Sequence, residues 1–232
     1  MFNQTSAVFM PLEIFTPDEI LDIKDRILSL RQYWKWWSYG KADTDFGGYM
    51  LPPGLYATEG YQTPGSKYQE HMGKDLSLRD LMEENFSVYY LKVKDEISNI
   101  LQTEAQMNPH HNYPGFHIYE GPLEHNYLNL HRDRWTTIDN PVWSVLIPIC
   151  LPESGCGVIY SNTLDAIDIG NRYRIADDIK YTRARYEVSK MAGWYSEMPH
   201  SADHFTLKEN EYRITMQFHV MPESQGISEI FW

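Results

Sequence analysis

Cysteine is rare in this chain: Cys150 and Cys156 are the only two among 232 residues, and no CxxC motif occurs. A disulfide framework or a structural zinc ribbon would need more cysteines, so neither is expected. The sequence has no run of 18 or more apolar residues, which excludes a membrane-spanning helix. No basic segment followed by an apolar stretch marks a signal peptide, so we expect a cytoplasmic, reducing compartment.

Basic residues are also few. The chain has 20 Lys and Arg against 32 Asp and Glu, a formal net charge of −12. A protein that binds the phosphate backbone normally carries a basic face, so this balance disfavours a nucleic-acid partner. Neither GxGxxG nor a Walker A loop is present, so the sequence gives no support to a nucleotide-binding α/β domain.

Aromatic residues are abundant instead, with 7 Trp, 17 Tyr and 9 Phe. Hydrophobic residues make up 42% and charged residues 22%, a balance typical of a globular protein. We expect one domain over residues 1–232, because a β-rich domain can reach this length. Residues 1–112 would form helical and loop support, and residues 113–232 a jelly-roll core.

Two helices are predicted in the first part of the chain. Thr16-Pro17-Asp18-Glu19 is a helix start, and the apolar spacing that follows extends to about Arg31. A second periodic segment extends from about Ser77 to Gln102. The Gly-, Pro- and Tyr-rich segment between them suggests a long loop, and residues 41–74 within it would be either a lid over a site or a plain loop.

From Pro114 onward, short segments rich in β-branched and aromatic residues alternate with turns, which indicates strands. We therefore predict a mainly β fold with N-terminal α-helices packed on a sandwich or jelly roll. The predicted strands are Gly115–Tyr119, Tyr127–Asp133, Val142–Cys150, Gly157–Tyr160, Tyr186–Ser189, Gly193–Met198 and Tyr212–Val220.

The most informative segment contains His131 and Asp133. Residues two apart on a strand point to the same face, so these two side chains would project together with Asn129. An imidazole and a carboxylate side by side supply two of the three ligands of a facial triad for non-haem Fe(II). The third ligand would be His200, which follows a strand ending at Pro199, with His204 as the alternative.

Arg213 and Thr215 share a face of the predicted strand Tyr212–Val220, opposite Ile214 and Met216. A buried arginine on a sheet needs an anion, and a guanidinium suits a carboxylate. This pair therefore predicts a carboxylate-binding position.

His-x-Asp on a strand, a distal His and Arg-x-Thr, in this order, resemble the Fe(II)/2-oxoglutarate-dependent dioxygenase family. The segment Phe116–Gly121 is similar to a strand of its prolyl-hydroxylase-like and phytanoyl-CoA-hydroxylase-like members. The resemblance implies a double-stranded β-helix, a cupin-like jelly roll. His131, Asp133 and His200 (or His204) would bind Fe(II), and O₂ would be a co-substrate. Arg213, Thr215 and Tyr119 would bind 2-oxoglutarate. The interval from His204 to Arg213 is nearer the family's usual spacing, whereas Met198-Pro199-His200 resembles its strand-end pattern.

The activity implied is hydroxylation of an unactivated C–H bond in a small molecule, an amino acid or a peptide side chain, with succinate and CO₂ as co-products. Because Asp133 is present, hydroxylation is favoured over halogenation, for which the family replaces the carboxylate with a small residue. We expect Asn129, Arg134 and Trp135, which flank the His-x-Asp pair, to bind substrate.

The alternative functions are a cupin-like metal enzyme that does not use 2-oxoglutarate and a non-enzymatic jelly-roll binding module. No membrane partner is expected, and no feature of the sequence sets the oligomeric state.

Overall fold

The computed structural model describes residues 8–38, 47–52, 77–109, 111–125, 133, 142–161, 181–222 and 226–232. Helix α1 covers Pro17–Ser29 and helix α2 covers Arg79–Leu101. The predicted capping box is present, since the Thr16 hydroxyl accepts from the backbone N–H of Glu19 and the Glu19 carboxylate accepts from that of Thr16. Neither helix is long and apolar enough to cross a membrane.

The strands follow in chain order. They are β1 (Val8–Glu13), β2 (Lys35–Ser38), β3 (Gly47–Leu51), β4 (Glu104–Met107), β5 (Gly115–Glu120), β6 (Leu123–His125), β7 (Trp143–Cys150), β8 (Gly157–Tyr160), β9 (Thr182–Arg185), β10 (Lys190–Tyr195), β11 (His200–Ala202), β12 (Phe205–Leu207), β13 (Tyr212–Pro222) and β14 (Ile227–Phe231).

Two layers of strands build the core, and their pairings are antiparallel except that of β14 with β4. In the described part of the chain, the large sheet has the order β1-β10-β7-β13-β5-β3-β2, with β14 pairing β13 and β4. The second layer contains β11-β8-β9 and the pair β12-β6. Buried residues of β5, β7 and β10 pack with those of β8 and β12 in one cluster, so the two layers face each other. This confirms the predicted mainly β, jelly-roll fold.

A second hydrophobic cluster lies on the other side of the large sheet. Ile23 and Ile27 of α1 and Phe86 and Val93 of α2 pack there against the outward residues of the sheet. The helices therefore cover one face of the sheet and leave its opposite face for the interior between the two layers. Only the residues of each strand that point to this interior can therefore line a site between the two layers.

Some predicted strand positions were wrong. Tyr186–Ser189 lies between β9 and β10 and is not a strand, and the strand expected at Gly193–Met198 is β10, which ends at Tyr195. β6 lies just before the expected strand Tyr127–Asp133, of which the structure describes Asp133 alone.

The first 112 residues also contribute strands that were not predicted. β1 pairs with β10, and β3 lies inside the segment that was expected to be a loop. Glycine disfavours strands, which hid β3 from sequence reasoning. Here Gly48 is required, because a Cβ would lie 2.9 Å from the Ile118 carbonyl oxygen. Apart from residues 47–52, the proposed lid at 41–74 lies outside the described residues.

Candidate functional site

Strand β13 separates apolar from polar side chains by strict alternation. Ile214, Met216, Phe218 and Val220 belong to the cluster under the helices. The intervening residues point to the interior between the two layers, because successive side chains of a strand project to opposite faces. These inward residues are Arg213, Thr215, Gln217 and His219.

Asp133 and His200 lie together at this interior. The Nε2 atom of His200 is 3.5 Å from Oδ2 of Asp133, and only 7% and 15% of the two side chains are exposed. His200 begins β11, which pairs with β8, while the backbone N–H of Asp133 donates to the carbonyl of Ser196. Positions 67 residues apart in sequence are thus held side by side by the second layer and the turn after β10.

The hydrogen bond of the other imidazole nitrogen sets the tautomer of His200. Nδ1 lies 2.9 Å from the carbonyl oxygen of Met198. A carbonyl only accepts, so Nδ1 carries the hydrogen and, in the neutral ring, Nε2 presents its lone pair towards Asp133. A lone pair and a carboxylate facing each other repel unless a cation lies between them. Histidine ligands of metals are oriented in this way by a carbonyl on the far nitrogen.

Ser144 supports Asp133 from β7. Its hydroxyl donates to Oδ2 of Asp133 over 2.6 Å, and it lies 3.4 Å from Nδ1 of His219. Sequence reasoning did not identify Ser144. The sequence feature that could have identified it is that Ser144 is the only hydroxyl residue in the otherwise apolar strand WSVLIPIC.

Arg213 is a buried cation with 3% of its surface exposed. Its guanidinium carbon lies 5.3 Å from the Tyr119 ring and 5.2 Å from the Phe205 ring, and Nε donates to Sγ of Cys156 over 3.4 Å. No carboxylate of the described residues lies within ion-pair distance of it. A buried charge without a counter-ion is costly, so this position favours binding of an anion.

The two other residues predicted beside Arg213 are its neighbours on the sheet. Tyr119 is directly opposite Arg213 in the β13–β5 ladder and is buried. Thr215 is fully buried, and its hydroxyl oxygen accepts from the Gln217 side-chain amide over 3.0 Å. The structure therefore places all three predicted carboxylate-binding residues on one interior surface.

The remaining predicted site residues divide into two groups. His204, the alternative ligand, is exposed in the segment between β11 and β12, and its backbone N–H donates to Asp203. His131 and the expected substrate-binding residues Asn129, Arg134 and Trp135 lie outside the described residues. Within the described ranges, no group of three or more His, Cys, Asp and Glu side chains is placed to hold a metal ion.

His117 connects the two parts of the interior. Burial and, next, the positive charge of Arg213 lower the pKa of His117 to about 3, while the negative charge of Asp133 acts in the opposite direction. The His117 ring is thus close enough to feel both charges. This imidazole is opposite Thr215 in the β13–β5 ladder.

Two fully enclosed histidines should make folding sensitive to acid. Burial lowers the pKa of His125 and that of His219 to about 4 each. Both rings are neutral in the fold and gain a proton near pH 6.5 on unfolding. Their contribution to stability is therefore complete above pH 6.5 and is lost as the pH falls from there towards 4.

We expect the free energy of unfolding of the metal-free protein to fall by about 2 to 3 kcal/mol between pH 7.5 and pH 5.5 from these two groups. Urea titrations at the two pH values measure it. A His125→Phe variant should lose about half of the part that His125 and His219 contribute, with the contribution of His117 unchanged, because the ring stacked on Phe205 is retained without its titration. An unchanged pH dependence in that variant would show that His125 is not held neutral.

Comparison with solved structures gives matches over nearly the whole chain. No protein-family profile and no curated protein matches the sequence. AviO1 from Streptomyces viridochromogenes Tue57 has a TM-score of 0.53 at 12% identity, over 93% of this chain and 89% of that one. The non-heme alpha-ketoglutarate-dependent epimerase SnoN from nogalamycin biosynthesis has a TM-score of 0.52 at 9% identity, over 94% and 81%. EvdO2 from Micromonospora carbonacea var. aurantiaca, solved with 2-oxoglutarate, has a TM-score of 0.50 at 11% identity, over 93% and 86%.

The chain has the fold of the Fe/2-oxoglutarate-dependent oxygenases. The fold that the motif resemblance implied is thereby confirmed. At these identities the likeness concerns the fold, and the chemistry must be inferred from the side chains described above.

Proposed function

We propose that this protein is an Fe(II)- and 2-oxoglutarate-dependent oxygenase that hydroxylates an unactivated C–H bond of an organic substrate. The observation that carries the proposal is the pairing of two features on one interior surface. Asp133 and His200 face each other, and the neutral His200 ring presents its lone pair to the carboxylate, while Arg213 is a buried cation without a carboxylate partner among the described residues. One site calls for a cation and the other for an anion.

The residues fit an iron site. Asp133 and His200 supply a carboxylate and an imidazole, the donor types of the facial triad, and Ser144 and the Met198 carbonyl orient them. His131 is two residues from Asp133 and is the third ligand in this proposal. His200 is preferred to His204 because His200 is the one beside Asp133, whereas His204 is exposed.

The residues around Arg213 fit the distal carboxylate of 2-oxoglutarate. The guanidinium would pair with it, and the hydroxyls of Thr215 and Tyr119 would add hydrogen bonds. Tyr119 and Phe205 enclose the guanidinium, so water is largely excluded and the ion pair is stronger than it would be at the surface.

The protein's part in the reaction is to bind, to orient and to exclude water. When bound, iron and the keto acid supply the oxidising chemistry that inserts an oxygen atom from O₂, with succinate and CO₂ released. Asp133 and His200 fix one side of the site, and Arg213 fixes the far end of the keto acid. Ser144 keeps Asp133 in place by donating to Oδ2, the oxygen that faces His200, and so holds the carboxylate in the orientation in which it can act as a ligand.

Release of succinate from 2-oxoglutarate tests this function without knowledge of the substrate. We expect succinate to form when the purified protein receives Fe(II), 2-oxoglutarate, air and ascorbate, which supplies the two electrons that the substrate would otherwise give, and to fall to background when a chelator is added. Metal binding without keto-acid consumption would favour a cupin-like enzyme that does not use 2-oxoglutarate. Absence of both would favour a jelly-roll binding module and contradict the proposal.

A further inference from the structure

Cys156 reaches Arg213 from the opposite layer of the fold. It lies directly before β8 and belongs, with Val158 and Tyr160 of that strand, to the cluster between the two layers. Arg213 comes from β13 of the large sheet, and its Nε donates to Sγ of Cys156 over 3.4 Å. One hydrogen bond therefore links the two layers at the position of the buried cation.

This hydrogen bond decides which edge of the guanidinium is available to a ligand. A guanidinium has two edges on which a pair of parallel N–H groups fits a carboxylate: Nε with one Nη, or Nη1 with Nη2. In Arg213 the first edge is occupied, because the Nε–H is donated to the thiol. No acceptor among the described residues pairs with Nη1 or Nη2. A carboxylate can therefore be bound through both of its oxygens only at the Nη1–Nη2 edge.

Two aromatic rings pack beside the guanidinium without neutralising it. Tyr119 and Phe205, whose rings lie 5.3 and 5.2 Å from the guanidinium carbon, meet each other edge-on with their centroids 5.5 Å apart. The Tyr119 ring can lie here because a Cβ on Gly48 would come within 3.0 Å of one of its carbons. The π faces attract a cation but leave its full charge in place. The guanidinium is thus held on several sides while its charge remains uncompensated by the described residues.

A thiol suits this position because sulfur is only a weak hydrogen-bond acceptor. A carboxylate at residue 156 would form an ion pair with Arg213 and cancel the charge that attracts an anion. An alanine there would leave the Nε edge without an acceptor, so the guanidinium could turn either edge to a ligand. Cys156 lies between these cases: it fixes the orientation and leaves the positive charge in place. Only 4% of the residue is exposed, so water competes little for the Nε–H.

We infer that Cys156 is a positioning residue for the co-substrate: it directs the Nη1–Nη2 edge of Arg213 to the distal carboxylate of 2-oxoglutarate. This inference rests on the proposed function and names the geometry with which that site binds its keto acid. Cys156 acts through Arg213 and not by contact with the keto acid. Its replacement should therefore change the affinity for 2-oxoglutarate and leave the affinity for Fe(II) unchanged.

Substitutions at residue 156 test the inference through the dissociation constant of 2-oxoglutarate. It is measured by anaerobic titration of the Fe(II)-loaded protein, followed by visible absorption. Cys156→Ala removes the acceptor and should weaken binding about tenfold. Cys156→Ser keeps a neutral acceptor and should stay within about threefold of the unaltered protein. Cys156→Asp supplies a competing carboxylate and should weaken binding by at least about 100-fold.

Cys150→Ala is the matched control for this series. Cys150 is the other cysteine of the chain and packs in the cluster under the helices, away from the interior between the layers. We expect its replacement to leave the affinity for 2-oxoglutarate unchanged. Unchanged affinity in folded Cys156→Ala and Cys156→Asp as well would overturn the inference.

A double variant distinguishes positioning from a general structural role. In the Arg213→Met protein, Cys156→Ala should cause no further loss of 2-oxoglutarate affinity, because no guanidinium remains to be oriented. The affinity for 2-oxopentanoate, which has a methyl group in place of the distal carboxylate, should likewise be the same with and without the thiol. Equal losses in both backgrounds, or for both keto acids, would make Cys156 a structural residue and overturn the inference.

An NMR measurement without metal or keto acid separates this inference from the proposed function. In chelator, we expect the Nε–H signal of Arg213, assigned by its absence in Arg213→Met, to exchange slowly with water, since it is buried and donated to sulfur. In Cys156→Ala the exchange should be at least about tenfold faster. Equal exchange in the two proteins would overturn the inference even if keto acid is consumed. Exchange that depends on Cys156 in a protein that binds no keto acid would refute the oxygenase and not the orientation of Arg213.

Discussion

Replacing His200 with alanine is expected to abolish 2-oxoglutarate consumption, with a loss well beyond the roughly 10- to 100-fold that removal of an outer-shell partner costs. His200 supplies the lone pair that faces Asp133, so the variant leaves that carboxylate without the second donor of the site. Asp133→Ala should have the same effect. Succinate release at saturating Fe(II) and 2-oxoglutarate, together with Fe(II) binding by dialysis, measures both losses.

His204→Ala is the matched control for this prediction. It removes an imidazole only four residues away that is exposed and lies after the end of β11. We expect it to retain the iron content and the activity of the unaltered protein. The reverse result, with activity lost in His204→Ala and kept in His200→Ala, would reject His200 as the ligand.

Replacing Arg213 with methionine is expected to raise the concentration of 2-oxoglutarate needed for half-saturation by about 100-fold, since two charge-assisted hydrogen bonds to a buried carboxylate are lost. Fe(II) binding should be unaffected. Initial rates of succinate release against keto-acid concentration give the value. Arg183→Met, at an exposed position of β9, is the control and should change neither quantity.

The thermal stability of Arg213→Met shows whether Arg213 has a binding role or a structural one. Arg213 is buried without a counter-ion among the described residues, so its replacement by an apolar side chain of similar length should leave the Tm of the ligand-free protein unchanged or raise it. The rise in Tm that 2-oxoglutarate gives the unaltered protein should disappear. A large drop in the ligand-free Tm with keto-acid affinity preserved would make Arg213 a structural residue.

Sequence patterns predicted the helices and strands that are determined by residues close together in the sequence. The capping box at Thr16 and the alternation along Tyr212–Val220 each depend on neighbours within a few residues, and both helices and β13 are present as predicted. β3 was missed because its glycines oppose strand formation locally, and the approach of Ile118 from another strand, which requires glycine at Gly48, is not visible in the sequence. Tertiary contacts decide such segments, and their own composition does not reveal them.

For the candidate site, the sequence predicted the types of residue that bind the metal and the carboxylate. It did not predict the contacts that hold those residues in position. His-x-Asp, the distal histidines and Arg-x-Thr stand out as patterns of residues that bind metals and carboxylates. The contact of His200 with Asp133 depends on the turn after β10 and on β11, and sequence spacing alone favoured His204 to some extent. Ser144 comes next to Asp133 only through the register of β7 in the sheet, which its own sequence neighbours do not reveal.

The most direct test of the central hypothesis is an anaerobic titration of the purified protein, first with Fe(II) and then with 2-oxoglutarate, followed by visible absorption. We predict a charge-transfer band characteristic of a keto acid chelated to Fe(II), saturating at one equivalent of each and missing in His200→Ala. Iron binding without the band would contradict the role of Arg213 and 2-oxoglutarate. Failure to bind iron at all would contradict the assignment of Asp133 and His200 as ligands.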